Sequence, residues 1–134
     1  MTIKTYMAEQ PRVIADAFEA GLRRARELGL SGRERLTLIG SGSSRNACLF
    51  AEPFLGDARV MPPADFLAGS GRQSDAAELV VVLTQSGASA TSVAAARKAH
   101  AQGARVVVVT ANPAGAAAGL GLLVVPMPIG DEPI

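Results

Sequence analysis

Apolar side chains recur at a helical spacing near the start of the chain. The recurring positions are Val13, Ile14, Ala17, Phe18, Leu22 and Ala25. A period near 3.6 predicts an amphipathic helix over about residues 11–28, docked on the main body of the protein. Pro11 suits the first helical turn, and Gly29 with the Ser31-Gly32 pair predicts the end of the helix.

From residue 34 onward the pattern changes to short apolar runs that alternate with glycine-containing turns and helical stretches. Five runs are predicted strands, at residues 36–39, 58–61, 79–83, 105–110 and 122–125. The Pro62-Pro63 pair is expected to close the second strand. Helices are predicted over about 45–55 and over 90–102, where Gly103 provides the stop.

The strand pattern predicts the fold class. Valine-rich runs without polar alternation are typical of parallel strands covered on both faces. Strands that alternate with helices define an α/β protein. We therefore predict a doubly wound five-stranded parallel sheet in the order 2-1-3-4-5, flanked by helices and preceded by an extra N-terminal helix.

Composition narrows the functional classes. The 134 residues fit one domain, and we expect a single domain over 1–134 because no linker or repeat interrupts the pattern. A hydrophobic fraction of 49% with 19% charged residues excludes a disordered chain. A net charge of +1 and an aromatic content of 4% argue against nucleic-acid binding.

The remaining composition signals concern metals, disulfides and membranes. One cysteine and one histidine cannot form an internal disulfide or a zinc site. The apolar runs are far shorter than the roughly 20 residues of a membrane-spanning helix. The first ten residues are polar and mixed, unlike a signal peptide. We expect a cytoplasmic protein that binds no membrane and needs no metal or cofactor.

Two serine-rich loops follow the first and third predicted strands. Residues 40–44 read Gly-Ser-Gly-Ser-Ser and residues 84–89 read Thr-Gln-Ser-Gly-Ala-Ser, and these loops hold five of the nine serines in the chain. In the predicted strand order the winding reverses between these two strands, which is where open parallel sheets bind ligands. Hydroxyls, N–H groups beside glycine and two helix N-termini suit an anion such as phosphate. Neither loop contains a carboxylate or a histidine, so the loops favour holding a phosphate over transferring a proton.

Other interpretations of these residues stay open. The serines could instead cap helices and form turns. Residues 40–42 begin a dinucleotide-binding pattern, but Arg45 occupies the third glycine position and no acidic residue ends the second strand. Arg45 itself could reach a phosphate or face solvent. We expect His100 at the surface and Cys48 as a buried structural thiol.

Both loops also carry motifs of a known family. The run Leu-Ile-Gly-Ser-Gly-Ser-Ser-Arg-Asn at 38–46 resembles the first loop of the sugar isomerase (SIS) domain, Gly-[Thr/Ser]-Ser-x-Asn. The run Leu-Thr-Gln-Ser-Gly-Ala-Ser-Ala-Thr at 83–91 resembles its Ser-Gln-Ser-Gly-x-[Thr/Ser]-x-[Asp/Glu]-Thr signature. Residues 7–11 and 130–132 resemble its flanking Glu-Gln-Pro and Gly-x-Glu positions. The chain is most similar to the isomerase part of glucosamine-6-phosphate synthase and to related sugar-phosphate isomerases and deaminases.

The resemblance implies a hexose or hexosamine 6-phosphate as ligand, in an aldose–ketose isomerase, aminotransferase or deaminase. It implies phosphate contacts from six residues, Ser43, Ser44, Thr84, Gln85, Ser86 and Ser89. Gly42 and Gly87 would keep the loops open to the ligand. No catalytic residue is assigned, and Glu132 is only a weak candidate for a base.

Departures from the family pattern bear on catalysis. Ala88 stands where the synthase has glutamate, and Thr91 stands where it has an acid. Family members usually continue into a second SIS copy, which supplies the catalytic glutamate and the ring-opening histidine. We therefore expect this chain to be the N-terminal, phosphate-binding half of a larger site, paired with a second SIS domain or another copy of itself. The alternative is a phosphosugar-sensing regulatory or assembly module without catalysis.

Overall fold

The computed structural model describes residues 2–30, 34–69, 75–120 and 122–126. Its centre is one sheet in which all neighbouring strands are parallel. The strands are β1 Arg35–Ile39, β2 Ala58–Met61, β3 Glu78–Leu83, β4 Arg105–Thr110 and β5 Leu123–Pro126. Their spatial order, β2-β1-β3-β4-β5, confirms the predicted fold class.

Helices flank this sheet on both faces. Those in the described residues are α1 Ile3–Glu27, α2 Ser43–Ala51, α3 Pro63–Leu67 and α4 Ala90–Ala101. Crossovers between parallel strands are right-handed. The chain crosses the sheet in one direction from β1 to β2 and in the other from β2 onward, so α2 lies on one face and α3 and α4 lie on the opposite face. None of the helices in these parts of the chain has the length and apolar character needed to cross a membrane.

The main hydrophobic core lies between the sheet and the helices α3 and α4. Alternate strand residues are buried in it, namely Ile39, Val80, Val82, Val106 and Val108. The helix α4 contributes Ala95, Ala96 and Ala99, whose small side chains let the helix lie close to the strands. Phe66 of α3 packs against the same cluster. The valine runs that predicted buried strands therefore form the centre of the core.

The helix α1 lies against the opposite face and covers it incompletely. A groove of about 350 Å³ remains between the C-terminal half of α1 and strand residues that include Val81, Val107 and Val125. Two arginines fasten that end of the helix. Arg24 donates to the carbonyl of Val124 at 3.0 Å, and Arg105 donates to the carbonyl of Leu28. The structure thus shows α1 docked through its C-terminal half.

The predicted start of α1 at residue 11 was wrong. The helix begins at Ile3 and includes Pro11 in its interior. Thr2 caps this earlier end, because its Oγ1 accepts a hydrogen bond from the N–H of Thr5 at 3.3 Å. Met7 extends the apolar stripe upstream of the proline at a helical spacing, which the assignment of Pro11 to the first turn concealed.

The segments that follow β1 and β2 also refine the sequence prediction. The helix predicted over 45–55 is α2, followed by a short 3-10 turn at Glu52–Phe54. The Pro62-Pro63 pair, expected only to close β2, instead begins α3 with Pro63 as its first residue. A proline is compatible with this position because the first N–H of a helix has no partner within the helix.

Candidate functional site

The two serine-rich loops converge at the C-terminal ends of β1 and β3. They enclose a pocket of about 290 Å³, lined by Ser41, Gly42, Ser43, Ser44, Leu83, Thr84, Gln85, Ser86, Ser89 and Ser92. All six polar residues singled out from the sequence therefore lie around one pocket, together with Gly42. The pocket lies at the point where the winding of the sheet reverses, as parallel α/β folds place their ligand sites.

The first loop is shaped by two glycines. A Cβ on Gly40 would lie 2.9 Å from the carbonyl carbon of Ser44 and 3.0 Å from the backbone nitrogen of Arg45. The absence of that Cβ lets the first turn of α2 close over the end of β1. Gly42 has φ 57° and ψ −130°, a conformation open to glycine but strained for other residues.

The start of α2 has no side-chain cap. Gly42 occupies the capping position and offers no acceptor, so first-turn N–H groups are left for another acceptor. The carbonyl of Ser41 accepts from the N–H groups of Ser44 and Arg45, at 3.2 and 3.4 Å. The hydroxyls of Ser43 and Ser44 lie at the same helix end. This end of the pocket is therefore rich in donors.

The second loop uses its hydroxyl oxygens as acceptors. Thr84 Oγ1 accepts from the N–H of Gly87 at 3.3 Å, and Ser86 Oγ accepts from the N–H of Ala88 at 3.2 Å. Ser89 caps α4, since its Oγ accepts from the N–H of Ser92 at 3.4 Å. The turn-forming and capping interpretation is thus realised in this loop. It is compatible with anion binding, because an accepting hydroxyl still has its own hydrogen to donate.

The pocket has no charged side chain among its lining residues. Its positive potential comes from the N-termini of α2 and α4, whose dipoles favour an anion. Arg45 lies on the first turn of α2 and is exposed. The lining also lacks a carboxylate, an imidazole, an amine and a thiol. The described residues therefore equip the pocket to bind an anion and supply no group there that would transfer a proton.

Other candidate residues lie away from the pocket. Cys48 is buried in α2, as predicted, and burial raises the pKa of its thiol, which stays protonated at neutral pH. His100 is exposed near the end of α4, also as predicted. Gly87 is buried and does not line the pocket. The candidate base Glu132 and its neighbours 130–131 lie outside the described residues.

Two polar features were missed by the sequence interpretation. Ser92 lines the pocket one turn into α4, and its spacing of three from Ser89 is the signal that could have found it. Glu78 is a fully buried carboxylate at the start of β3, 3.3 Å from Arg59 and hydrogen-bonded by the Thr37 hydroxyl. It lies at the opposite end of the strand from the pocket, so we assign it to the structure of the sheet.

The fold and the pocket define a class, an open doubly wound α/β domain with an anion-binding site at its switch point. The family model of the SIS domain matches residues 29–133, and the chain belongs to the SIS domain family. No curated protein matches the chain in sequence.

Solved structures share this fold. A protein of Clostridium difficile 630 assigned as a phosphosugar isomerase has a TM-score of 0.85 at 20% identity, over 98% of this chain and 39% of that one. Tagatose-6-phosphate ketose/aldose isomerase of Escherichia coli has 0.68 at 22% identity, over 93% and 40%. The Escherichia coli CFT073 protein c3406, solved as a complex, has 0.74 at 17% identity, over 97% and 73%. The chain thus spans about two fifths of the first two proteins.

Proposed function

We propose that this SIS domain binds a sugar phosphate, a hexose or hexosamine 6-phosphate, and holds its phosphate between the two serine-rich loops. The observation that carries the proposal is the convergence of both loops on one pocket that contains donors but no charged side chain. The phosphosugar isomerases among the fold neighbours support the same class of ligand.

The proposed phosphate contacts come from both sides of the pocket. Ser43 and Ser44 would donate from the start of α2, and Gln85, Ser86 and Ser89 from the loop before α4. Thr84 lines the same pocket and would add its hydroxyl hydrogen. A hydrogen bond to a charged group contributes about 1.5–3 kcal/mol, so a few such donors suffice without a lysine or arginine.

The proposed reaction class needs a group that the pocket lacks. Aldose–ketose isomerisation, and the related aminotransferase and deaminase reactions, move a proton between C1 and C2 of an open-chain sugar and require a base. No lining residue is one. We therefore assign phosphate binding to this domain, 1–134, and the base to a second SIS domain or a second copy of the chain. The larger size of the first two fold neighbours supports such a partner domain.

An apolar stripe on α1 supports association. Ile3, Met7, Ile14 and Phe18 recur at helical spacings and expose between 64% and 76% of their surface. Contiguous exposed apolar surface marks sites of interaction. We propose that this stripe, made of these four residues, contacts the second SIS domain or the second copy in the cytoplasm.

The lack of a proton-transfer group also favours one alternative. A domain that binds a sugar phosphate without converting it would act as a regulatory sensor or an assembly module. Both functions use the same pocket, and they differ only in whether a base is supplied. Turnover assays of the chain with its natural partner distinguish them.

Ligand-dependent unfolding tests the proposed binding. The chain is heated with fructose 6-phosphate, glucosamine 6-phosphate, fructose or inorganic phosphate, and affinities are measured by calorimetry. A ligand at about 100 times its Kd adds about 2.7 kcal/mol of stability, which is a rise in Tm of about 5–15 °C. We expect both sugar phosphates to exceed inorganic phosphate, and fructose to give no shift.

A pair of hydroxyl deletions provides the control. Ser86→Ala removes a hydroxyl from the pocket and should weaken sugar-phosphate binding about tenfold, whereas Thr5→Ala removes an exposed hydroxyl on α1 and should leave affinity unchanged. Absence of binding by every phosphate compound would refute the proposal. Rapid isomerisation by the 134-residue chain alone would refute the assignment of the base to a partner.

A further inference from the structure

The chain after β4 contacts the second serine-rich loop from behind. Three successive carbonyls of that loop accept hydrogen bonds from this segment. Gln85 O accepts from the N–H of Ala111 at 3.2 Å. Ser86 O accepts from the side-chain Nδ2 of Asn112 at 3.1 Å, and Gly87 O accepts from the N–H of Ala117 at 3.0 Å. We call residues 110–117 the buttress segment.

These three bonds determine where the N–H groups of the loop point. A peptide unit is planar and trans, so each carbonyl points opposite to the N–H of the next residue. Because the carbonyls of Gln85, Ser86 and Gly87 point at the buttress segment, the N–H groups of Ser86, Gly87 and Ala88 point away from it. Successive N–H groups on one side of the backbone form a concave anion-binding arrangement.

Two glycines bring the loop and the buttress segment into direct backbone contact. A Cβ on Gly87 would lie 2.9 Å from Thr110 Oγ1 and 3.0 Å from the carbonyl oxygen of Asn112. A Cβ on Gly115 would lie 2.8 Å from the carbonyl oxygen of Gly87. The two backbones therefore have no room to slide, and the orientation of the loop depends on the buttress segment.

Asn112 is the one side chain of this contact that uses both ends of its amide. Its Oδ1 accepts from the N–H of Ala114 at 3.2 Å and folds its own turn. Its Nδ2 donates to the carbonyl of Ser86, at the centre of the three successive carbonyls. An aspartate here keeps the acceptor and loses the donor, so its second oxygen would face a carbonyl oxygen.

We propose that Asn112 is a positioning residue for the phosphate: by holding the Ser86 carbonyl, it directs the N–H groups of the loop toward the bound anion. This inference rests on the proposed sugar-phosphate function of the same pocket. Asn112 does not line the pocket and acts only through the peptide between Ser86 and Gly87.

Calorimetry with glucosamine 6-phosphate and with inorganic phosphate tests the role of Asn112. We expect N112D and N112A each to weaken both ligands about tenfold or more while the fold is retained. Ala116→Asp is the matched control, because Ala116 is exposed in the same segment and the variant adds the same charge without touching Ser86. Loss of affinity in N112D and Ala116→Asp but not in N112A would show a charge effect and overturn the proposal.

Amide NMR of the unaltered chain provides a second measurement, which no folding defect of a variant can obscure. Titration with inorganic phosphate should shift the N–H resonances of Ser86, Gly87 and Ala88. Binding without a shift of these amides would overturn the positioning role and leave the proposed function standing. Unchanged affinity in both Asn112 variants would do the same. Failure of the unaltered chain to bind any phosphate compound would overturn both proposals.

Discussion

Replacing Gly115 by alanine tests how strongly the buttress segment controls the pocket. Gly115 has no positive φ, so the change introduces no backbone strain of its own. The new Cβ would lie 2.8 Å from the carbonyl oxygen of Gly87 and 3.0 Å from its carbonyl carbon. Ordinary contact begins near 3.4 Å, so the two backbones must separate by about 0.6 Å.

The size of the effect follows from this displacement. Forcing one extra carbon into a close-packed contact costs about 1–3 kcal/mol, which lowers the Tm of a chain of this size by about 3–12 °C. A shift of about 0.6 Å is also enough to break the 3.0 Å hydrogen bond from Ala117 to Gly87. We therefore expect Gly115→Ala to lose both stability and phosphate affinity.

Gly119→Ala is the matched control. Gly119 lies four residues further along the chain, has no positive φ, and a Cβ there meets nothing within 4 Å. Calorimetry and thermal unfolding of both variants separate the contact with Gly87 from the general effect of replacing a glycine. The reasoning fails if Gly115→Ala keeps the Tm and the affinity of the unaltered chain, or if Gly119→Ala loses as much of both.

Three further predictions concern the charge, the thiol and the apolar surface. Raising NaCl from about 50 to about 500 mM should weaken inorganic phosphate binding less than about threefold, because no charged side chain lines the pocket. A loss above about tenfold would instead indicate that Arg45 carries the affinity. Burial raises the pKa of Cys48, so iodoacetamide should modify it slowly at pH 7 in the folded chain and quickly in urea; rapid modification of the folded chain would contradict its burial. Phe18→Ser should lower the molar mass measured by light scattering, whereas Phe50→Ser removes a similarly exposed ring outside the α1 stripe and should not; equal masses for all three chains would argue against association through α1.

Much of the fold was predictable because its signals are local. Runs of valine report burial on both faces of a strand, and the serine-rich loops follow directly on two of these runs. Strand order then places the ends of β1 and β3 side by side, which brings residues 41–44 and 84–89 together. The polar lining of the pocket needed no further information.

The parts that were missed depend on tertiary contacts or on ambiguous local signals. Pro11 is compatible with the first turn of a helix and with the interior of one, and only the capping by Thr2 distinguishes them. The contact of Asn112 with Ser86 joins residues 26 apart, and no spacing rule connects them. Gly87 is recognisable as a loop glycine, but its close contact with Gly115 depends on how two loops pack.

The dependence of the second loop on the buttress segment has a consequence for protein engineering. Transplanting residues 84–89 alone into another parallel α/β scaffold would transfer the hydroxyls without the backbone geometry that orients the peptide groups. The smallest transferable unit is the continuous stretch from β3 through residue 117, because it contains the loop, α4, β4 and every described donor to the three loop carbonyls. Likewise, insertions that sample new sugar specificities are better placed after residue 42 than between 110 and 117, where an added residue would unseat the phosphate loop from the far side.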